Sequence, residues 1–340
     1  MKSSTAIARG PLPVSHPDSA KWTRAFPTYA WSILLYNLAV ILWGALVRAT
    51  GSGAGCGGHW PLCNGEVLPT DPQIATLIEF VHRAMSGVAL VTAAILAVWG
   101  WKAYPARHPA RRWSMASLVF MLTEALIGAA LVLLGHVARD ESVGRVVSLS
   151  LHLINTFALL ASLALTAWWS TRPAPDSSRL ARSESTGPRV TDFTAMVALV
   201  LVAIAGVITA LGDTLFPAHS LAEGIASDFA STASFLIRLR VIHPALAIAA
   251  ALWIALIALR QLRAGGADSL KRLSALLLML LGTQIFLGTL TFLLRAPLAM
   301  QLAHLLTADC LWITLVLFTS ERASFAKRAA SFAKRADPGS

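Results

Sequence analysis

Eight long apolar runs constrain the fold of this chain more than any other feature. Each run has about 20 to 25 residues, enough for an α-helix to cross the hydrocarbon core of a bilayer. Hydrophobic residues make up 56% of the sequence and charged residues 13%, too apolar a balance for one water-soluble core. The runs are residues 28–47, 77–101, 113–134, 148–169, 191–211, 235–259, 273–294 and 299–318. We therefore predict an all-α polytopic membrane protein with eight transmembrane helices.

The basic residues predict the orientation of these helices. Of the 28 Lys and Arg residues, four fall in the N-terminal tail, four in each of the loops after the second, fourth and sixth runs, and five in the C-terminal tail. The positive-inside rule makes this face cytoplasmic, with both termini on it. Because the +11 net charge is spread in clusters between apolar runs, it does not indicate a nucleic-acid partner. The polar N-terminal tail predicts no cleavable signal peptide.

Similar segments recur in the two halves of the chain. Glu124-Ala-Leu-Ile-Gly128 in the third run corresponds to Gln284-Ile-Phe-Leu-Gly288 in the seventh, and Gly44 in the first run corresponds to Gly206 in the fifth. We therefore expect two pseudo-symmetric four-helix bundles, related by an axis along the membrane normal. The predicted domains are a cytoplasmic tail 1–27, bundles 28–170 and 191–319, a cytoplasmic linker 171–190, and a basic cytoplasmic tail 320–340.

The basic tail contains a tandem heptapeptide, ASFAKRA, at 323–329 and again at 330–336. It resembles a basic amphipathic appendage on the inner leaflet. A duplication without function is the simpler interpretation, and we favour it.

Four histidines fall at matching positions, a few residues after the outer ends of the even-numbered runs. They are His82, His152, His243 and His304. Facing histidines on two helices of a bundle can bind a heme iron from both sides. A single membrane histidine is more often a packing residue, but four at one depth favour one heme-binding pair per bundle. Zinc is a weaker candidate, because neither half has a carboxylate or thiol cluster to complete a tetrahedral site.

The two predicted heme sites differ in charge. Glu79 lies three residues before His82, whereas Arg240 lies three residues before His243. This difference suits one reactive site and one electron-transfer site, although Glu79 could instead be only an i, i+4 partner of Arg83. Arg83 and Arg240 are candidate partners for heme propionates, with interfacial snorkelling as the alternative.

Three further features remain open from the residues alone. Glu124 could be a proton relay or a protonated packing residue, and Asp309 could hydrogen-bond within the second bundle. Cys56 and Cys63 share an outward-facing loop, so a disulfide is favoured over two free thiols, while Cys310 lies within the eighth run.

The first outer loop and the start of the second run carry a family resemblance. The segment 44–56, GALVRATGSGAGC, is followed by WPLCNGEV at 60–67 and by EFVHR at 79–83. These segments closely resemble those of the heme A synthase family, and the resemblance extends over all eight runs. Its most specific part is the loop with its E-x-x-H-R motif.

The resemblance implies oxidation of the C8 methyl group of heme O to the formyl group of heme A, for terminal oxidases. It assigns His82 and His152 to the substrate heme, and His243 and His304 to a heme b cofactor. Glu79, beside His82, takes the position of the catalytic glutamate, and Cys56 with Cys63 that of the outer-loop cysteine pair. Some family members have a second pair in the third outer loop; residues 213–234 contain no cysteine here, so no disulfide is expected there.

The resemblance also implies a multi-pass protein of the bacterial inner membrane, in contact with lipid. Heme O synthase and terminal-oxidase assembly factors are candidate partners. The electron donor, the oxidant and a homo-oligomeric state are left open. A di-heme cytochrome b that only transfers electrons is the alternative function, and a proton-coupled transporter using Glu124 and Asp309 is a third.

Overall fold

The computed structural model describes residues 17–70, 72–172 and 190–336, with side chains from Arg24 to Phe325 within those ranges. In this part of the chain eight helices are long and apolar enough to span a membrane, which confirms the predicted fold class. The helices, numbered along the chain, are α1 (Pro17–Ala49), α2 (Ile74–Ala103), α3 (Pro109–Leu133), α4 (Val143–Ser170), α5 (Val190–Leu215), α6 (Leu221–Phe229), α7 (Phe235–Arg238), α8 (Ile242–Ala264), α9 (Asp268–Leu293) and α10 (Leu298–Ala336).

The sixth span is interrupted near its start. A 3-10 turn, Leu239–Val241, separates α7 from α8 inside the span Phe235–Ala264. Pro244 explains the break, because proline has no N–H to donate to the carbonyl four residues earlier. The N–H of Ile242 instead donates to the carbonyl of Leu239, three residues back. The irregular turn lies directly before His243 and sets the direction in which its helix starts.

The helices form two rings of four. In the first half α1 and α3 each contact both α2 and α4, and in the second half α5 and α9 each contact both α8 and α10. The two rings touch through α1 and α4 on one side and α5 and α10 on the other. The symmetry axis predicted from the repeats, and the bundle limits 28–170 and 191–319, stay predictions.

The interface between the halves is tightly packed. The indole of Trp312 stacks on Phe157 with ring centroids 4.7 Å apart, and its Nε1–H donates to the Phe157 carbonyl at 2.7 Å. Leu160 and Leu163 of α4 and Leu315 of α10 are fully buried around this contact line. Away from the interface large apolar side chains stay exposed, as expected where helices face lipid.

The predicted extramembrane segments are described only in part. Most of the linker 171–190 and the first 16 residues of the tail 1–27 lie outside the described residues. Helix α10 continues without interruption to Ala336, so no helix end marks the predicted boundary at 320. The side chains of the second heptapeptide also lie outside the described residues.

Candidate functional site

The four histidines each lie within about three turns of the helix start at one end of the bundles, here called the histidine end. Each imidazole faces a glycine of a neighbouring helix. A Cβ added to Gly44 would lie 3.0 Å from Cε1 of His82, and one added to Gly206 or Gly288 would lie 3.0 Å from Cε1 of His243 or His304. At Gly128 the corresponding distance to Cε1 of His152 is 3.9 Å. Glycine thus gives each ring room beside the facing backbone.

The histidine pair of the second bundle has the spacing that an iron ligand pair needs. The rings of His243 and His304 are 6.4 Å apart between centroids, at an interplanar angle of 86°. Metal–imidazole bonds of about 2 Å place the centres of two trans ligands roughly 6 Å apart. Nδ1 of His243 donates to the Val202 carbonyl at 3.1 Å, which leaves the lone pair on Nε2 free for a metal. These two residues therefore fit a heme iron.

The second ligand of this pair contacts a neighbouring amide. Nε2 of Gln284 lies 3.2 Å from Nε2 of His304, so the amide donates to the ring nitrogen that would bind iron. Iron binding through this nitrogen requires the amide to turn away. Nδ1 of His304 is buried without a hydrogen-bond partner. Among the described residues no group of three or more His, Cys, Asp or Glu could hold a metal ion.

A carboxylate network surrounds His152 in the first bundle. Oε1 of Glu124 lies 3.5 Å from Nδ1 of His152, longer than an ordinary hydrogen bond. Glu124 also accepts hydrogen bonds from Asn155 and Thr156 of α4, one on each oxygen. Nδ1 of His82 and Nδ1 of His152 are buried and make no hydrogen bond. Glu124 is therefore fixed by α4 beside the ring of His152 without a hydrogen bond to it, and Gln284 is its uncharged counterpart in the second bundle.

Glu79 is held rigidly beside His82. It is only 3% exposed, and its Oε2 accepts the backbone N–H of Cys56 at 2.8 Å. Its Oε1 accepts from Nη2 of Arg83 at 2.5 Å, so the i, i+4 ion pair that the sequence also allowed is formed. The carboxylate is thus fixed and charge-paired at the histidine end.

The first loop is locked onto α2 at the same place. Cys56 and Cys63 form a disulfide, which confirms the prediction for this pair. Arg83 bridges from the carboxylate to the loop, donating through Nη1 to the carbonyls of His59 and Leu62 at 2.6 Å each. The disulfide and the hydrogen bonds of Arg83 and Cys56 therefore hold the loop and Glu79 in a fixed position relative to each other.

Arg240 ties the segment 216–234, between α5 and α7, to the second bundle. Its guanidinium lies 2.8 Å from Asp213 at the end of α5 and 2.7 Å from Asp228 in α6. It also donates to Ser227 at 3.2 Å. This ion-pair network fixes a loop that contains no cysteine. Like Arg83, Arg240 is engaged by a protein carboxylate, so the propionate role predicted for both stays a prediction.

Two other arginines, Arg48 and Arg145, were missed as site residues, although Arg48 lies within the family-like segment 44–56. Arg48, partly buried, donates from α1 to the Ala210 carbonyl and Thr214 of α5 at 2.7 and 2.9 Å, and to Gln301 of α10 at 3.1 Å. Arg145 is 3% exposed at the start of α4. The available signal was spacing, since Arg145 lies seven residues before His152 and so on the same helical face.

Arg145 contacts carbonyls and no carboxylate. Its Nη1 donates to the carbonyls of Ala138 and Asp140 at 2.7 and 2.8 Å, and its Nε is buried without a partner. Burial would raise the pKa of Asp140, but hydrogen bonds from Ser142 and the charges of His136 and Arg145 bring the pKa below its usual value. The Asp140 side chain is therefore a carboxylate, and it is hydrogen-bonded to Ser142.

Asp309 and Cys310 lie deeper in α10. Asp309 is 1% exposed, and its Oδ2 has no hydrogen-bond partner. Cys310 is a partly buried free thiol. The structure brings neither residue into contact with the histidine pairs, and their roles stay open.

The fold and the site together define a class, the multi-pass helical membrane proteins with histidine pairs near one membrane surface. Within this class the chain belongs to the COX15-CtaA family, described as cytochrome oxidase assembly protein, which matches residues 27–316. This confirms the family resemblance of the first loop and the spans.

Two kinds of curated relative are similar to the chain. A protoheme IX farnesyltransferase of Thermus thermophilus is 44% identical over 308 residues, which cover 90% of this chain and 50% of that protein. The chain thus spans about half the length of this relative. The heme A synthases of Alkalihalophilus pseudofirmus and Bacillus mycoides are 46% and 44% identical over 99 residues, 29% of this chain and about a third of theirs.

Proposed function

We propose that this protein is a heme A synthase, which oxidises the C8 methyl group of heme O to the formyl group of heme A. The conversion of R–CH3 and water to R–CHO releases four electrons and four protons. Membership of the cytochrome oxidase assembly family supports a role in heme A formation. The names of the matched relatives, heme A synthase and protoheme IX farnesyltransferase, support a modified heme as the substrate.

The observation that carries the proposal is the different chemistry of the two bundles. In the first, a buried carboxylate, Glu79, is clamped beside His82 by the Cys56 N–H and by Arg83. In the second, the equivalent position holds Arg240, whose charge is balanced by Asp213 and Asp228. A carboxylate three residues before the first histidine of the bundle is thus present in one bundle only. We assign the substrate heme to His82 and His152 on this ground.

Glu79 is suited to accept protons from the reacting carbon. Each carboxylate oxygen is already hydrogen-bonded, so the side chain is held in one orientation. In our proposal the methyl carbon is oxidised first to the alcohol and then to the hydrated aldehyde, which loses water, and an external electron acceptor takes up the four electrons. Glu79 takes up a proton from the hydroxylated carbon substituent, acting as a general base.

His243 and His304 are assigned to heme b. Their 6.4 Å ring separation and the Val202 hydrogen bond, which leaves Nε2 of His243 unprotonated, support this assignment. A heme in this position supplies one-electron transfer when bound. The chain's own contribution is to fix the two rings, through Gly206 and Gly288 on the facing helices.

The test is a pigment extract from host membranes that contain heme O and no heme A. Expression of this protein should convert part of the heme O to heme A. Glu79→Gln should reduce the yield of heme A by at least about 100-fold, as expected for loss of a general base. Glu141→Gln, at an exposed carboxylate of the second outer loop, is the matched control. Unchanged heme O with the wild type would refute the synthase and favour the cytochrome b alternative.

A second experiment tests the proposal that each bundle binds its own heme through its own histidine pair. His243→Ala should remove one low-spin heme signal from the absorption spectrum, while heme bound through His82 and His152 remains. A protein whose heme content did not change would contradict the ligand assignment.

We further propose the orientation given by the basic residues, with both termini cytoplasmic and the histidine end outward in the bacterial inner membrane. The disulfide supports this orientation, because disulfides persist on the oxidising side of a membrane. Reporter fusions after Ser340 and within the third outer loop would test it. A fusion after Ser340 that is active only outside the membrane would contradict it.

A further inference from the structure

Two arginines of the first bundle lie at the histidine end beyond the histidines and form no ion pair. Arg48 comes one helical turn after Gly44, which faces His82, and Arg145 comes two turns before His152 on the same face of α4. Since α1 ends and α4 begins at the histidine end, both arginines lie beyond the histidine pair at that end, and the Arg48 guanidinium lies where the two halves meet, against α5 and α10. Glu79, one turn before His82, lies on this side too.

The charges of these two groups are not compensated within the protein. Among the described residues neither has a carboxylate within 4.0 Å, and their contacts are to carbonyl, hydroxyl and amide oxygens. The two cations also repel each other. The carboxylates that act on them through space are hydrogen-bonded elsewhere, Asp213 to Arg240 and Asp140 to Ser142. A buried cation without an anionic partner is costly, so this arrangement is complete only with an anion.

Arg145 provides the more specific evidence for a ligand. Its side chain is more than nine-tenths buried, yet its Nε–H has no acceptor. Buried donors are nearly always satisfied, and an unsatisfied one marks a place where a ligand or water completes the site. A guanidinium with a free edge binds a carboxylate through two parallel hydrogen bonds.

We propose that Arg48 and Arg145 form the binding site for the propionate carboxylates of the heme in the first bundle. This inference rests on the proposed function and adds the orientation of the substrate to it. Heme carries its two propionates on one edge of the ring. The second bundle has no such pair, because the equivalent positions are Ala210, four residues after Gly206, and Pro297, seven before His304.

Anchoring the propionates has a direct consequence for the reaction. The C8 methyl group is the neighbour of one propionate on the porphyrin rim. A propionate edge held at the histidine end therefore turns this methyl group towards the end of the bundle where Glu79 lies. Arg48 and Arg145 are positioning residues in this account, since they act on the reacting carbon only through the orientation of the ring.

The test uses the full-length protein in detergent and metal-free protoporphyrin IX, whose binding is followed by fluorescence. Without iron, binding does not depend on histidine ligation or on turnover. The wild type should bind protoporphyrin IX at least about 10-fold more tightly than its dimethyl ester, because a charge-assisted hydrogen bond is lost on esterification. Arg48→Gln and Arg145→Gln should lose this preference. Arg145→Lys, which keeps the charge, should retain part of it.

The control Arg139→Gln changes an exposed arginine in the loop between α3 and α4. It should leave the preference for protoporphyrin IX over its dimethyl ester intact. Equal binding of acid and ester by the wild type would overturn the site, as would variants that weaken both ligands equally. A preference that disappears when phosphatidylglycerol is added to the micelles would identify a lipid phosphate as the ligand and would also overturn it. A protein that discriminates between the porphyrins but makes no heme A would refute the proposed function alone.

Discussion

Replacing Gly206 by alanine should displace the ring of His243 in the second bundle while leaving the stability of the fold almost unchanged. The new Cβ would lie 3.0 Å from Cε1 of His243, at least 0.4 Å inside the ordinary contact range that begins at 3.4 Å. The ring must move by about this amount, which stretches its 3.1 Å hydrogen bond to Val202 and costs about 1 kcal/mol. Alanine in place of glycine stabilises the helix by about 1 kcal/mol. These effects oppose each other, so stability should change by less than about 1 kcal/mol while the ligand pair is misaligned.

The assay compares heme b content and thermal stability in the same purified sample. For Gly206→Ala we expect an unchanged melting temperature of the heme-free protein and a clear loss of the low-spin heme b spectrum. Gly282→Ala is the matched control, because this helical glycine has no atom within 4 Å of an added Cβ. It should keep the full spectrum and gain about 0.5 to 1 kcal/mol.

Two results would refute this reasoning. One is a Gly206→Ala protein with full heme b content and an unshifted spectrum, which would mean that the ring has more room than the 3.0 Å contact indicates. The other is equal loss of heme in the Gly282→Ala control, which would show that any added methyl group disturbs the bundle.

Three further substitutions test the surroundings of the two sites. Replacing Cys56 and Cys63 together by serine should free the loop that holds Glu79, the proposed general base, so the heme A yield should fall while the heme content of the second bundle stays constant; an unchanged yield would show that the disulfide is dispensable. Arg240→Met should destabilise the protein by about 3 to 5 kcal/mol, because two carboxylates lose their cation. The control Arg238→Met, at an exposed position, should leave the melting temperature unchanged. Equal melting temperatures of the two variants would argue against a structural ion-pair network around Arg240. Glu124→Gln should lower the affinity for added heme about 10- to 100-fold, since it removes the carboxylate beside the ring of His152, a proposed iron ligand; spectroscopic titration measures this, and wild-type affinity would contradict an influence of Glu124 on His152.

The fold was largely predictable from the sequence, because one strong signal determines it. Each predicted run lies on a spanning helix of the structure, and most ends differ by a few residues, but α1 begins 11 residues before its run and α10 continues 18 residues beyond its run. Two local features were missed. Helix α6 in the third outer loop is short and amphipathic, so hydropathy does not reveal it. The 3-10 turn before His243 depends on Pro244, whose effect on a helix start is local.

The site was predictable in its residues but not in its contacts. Spacing and the repeat identified the four histidines and Glu79. The sequence offered the i, i+4 pair of Arg83 with Glu79, but it could not show that Arg240 already binds carboxylates, because Asp213 lies 27 residues before it and Asp228 reaches it only through the folding of α6. Arg48 likewise contacts residues more than 160 positions away. Long-range pairing of charges follows from tertiary packing, which short motifs do not encode.

The contacts between the two rings of helices have an evolutionary consequence. By position in the repeat α1 corresponds to α5, and α4 to α10. The halves meet through α1 with α5, α4 with α10, and the reciprocal pairs α1 with α10 and α4 with α5. This reciprocity is characteristic of an isologous interface between identical subunits. An ancestral four-helix protein that formed a homodimer through its first and last helices could have become this chain by gene duplication and fusion. After such a fusion the two copies diverge independently: the first half has Glu79, Arg48 and Arg145, and the second half has Arg240, Ala210 and Pro297 at the equivalent positions.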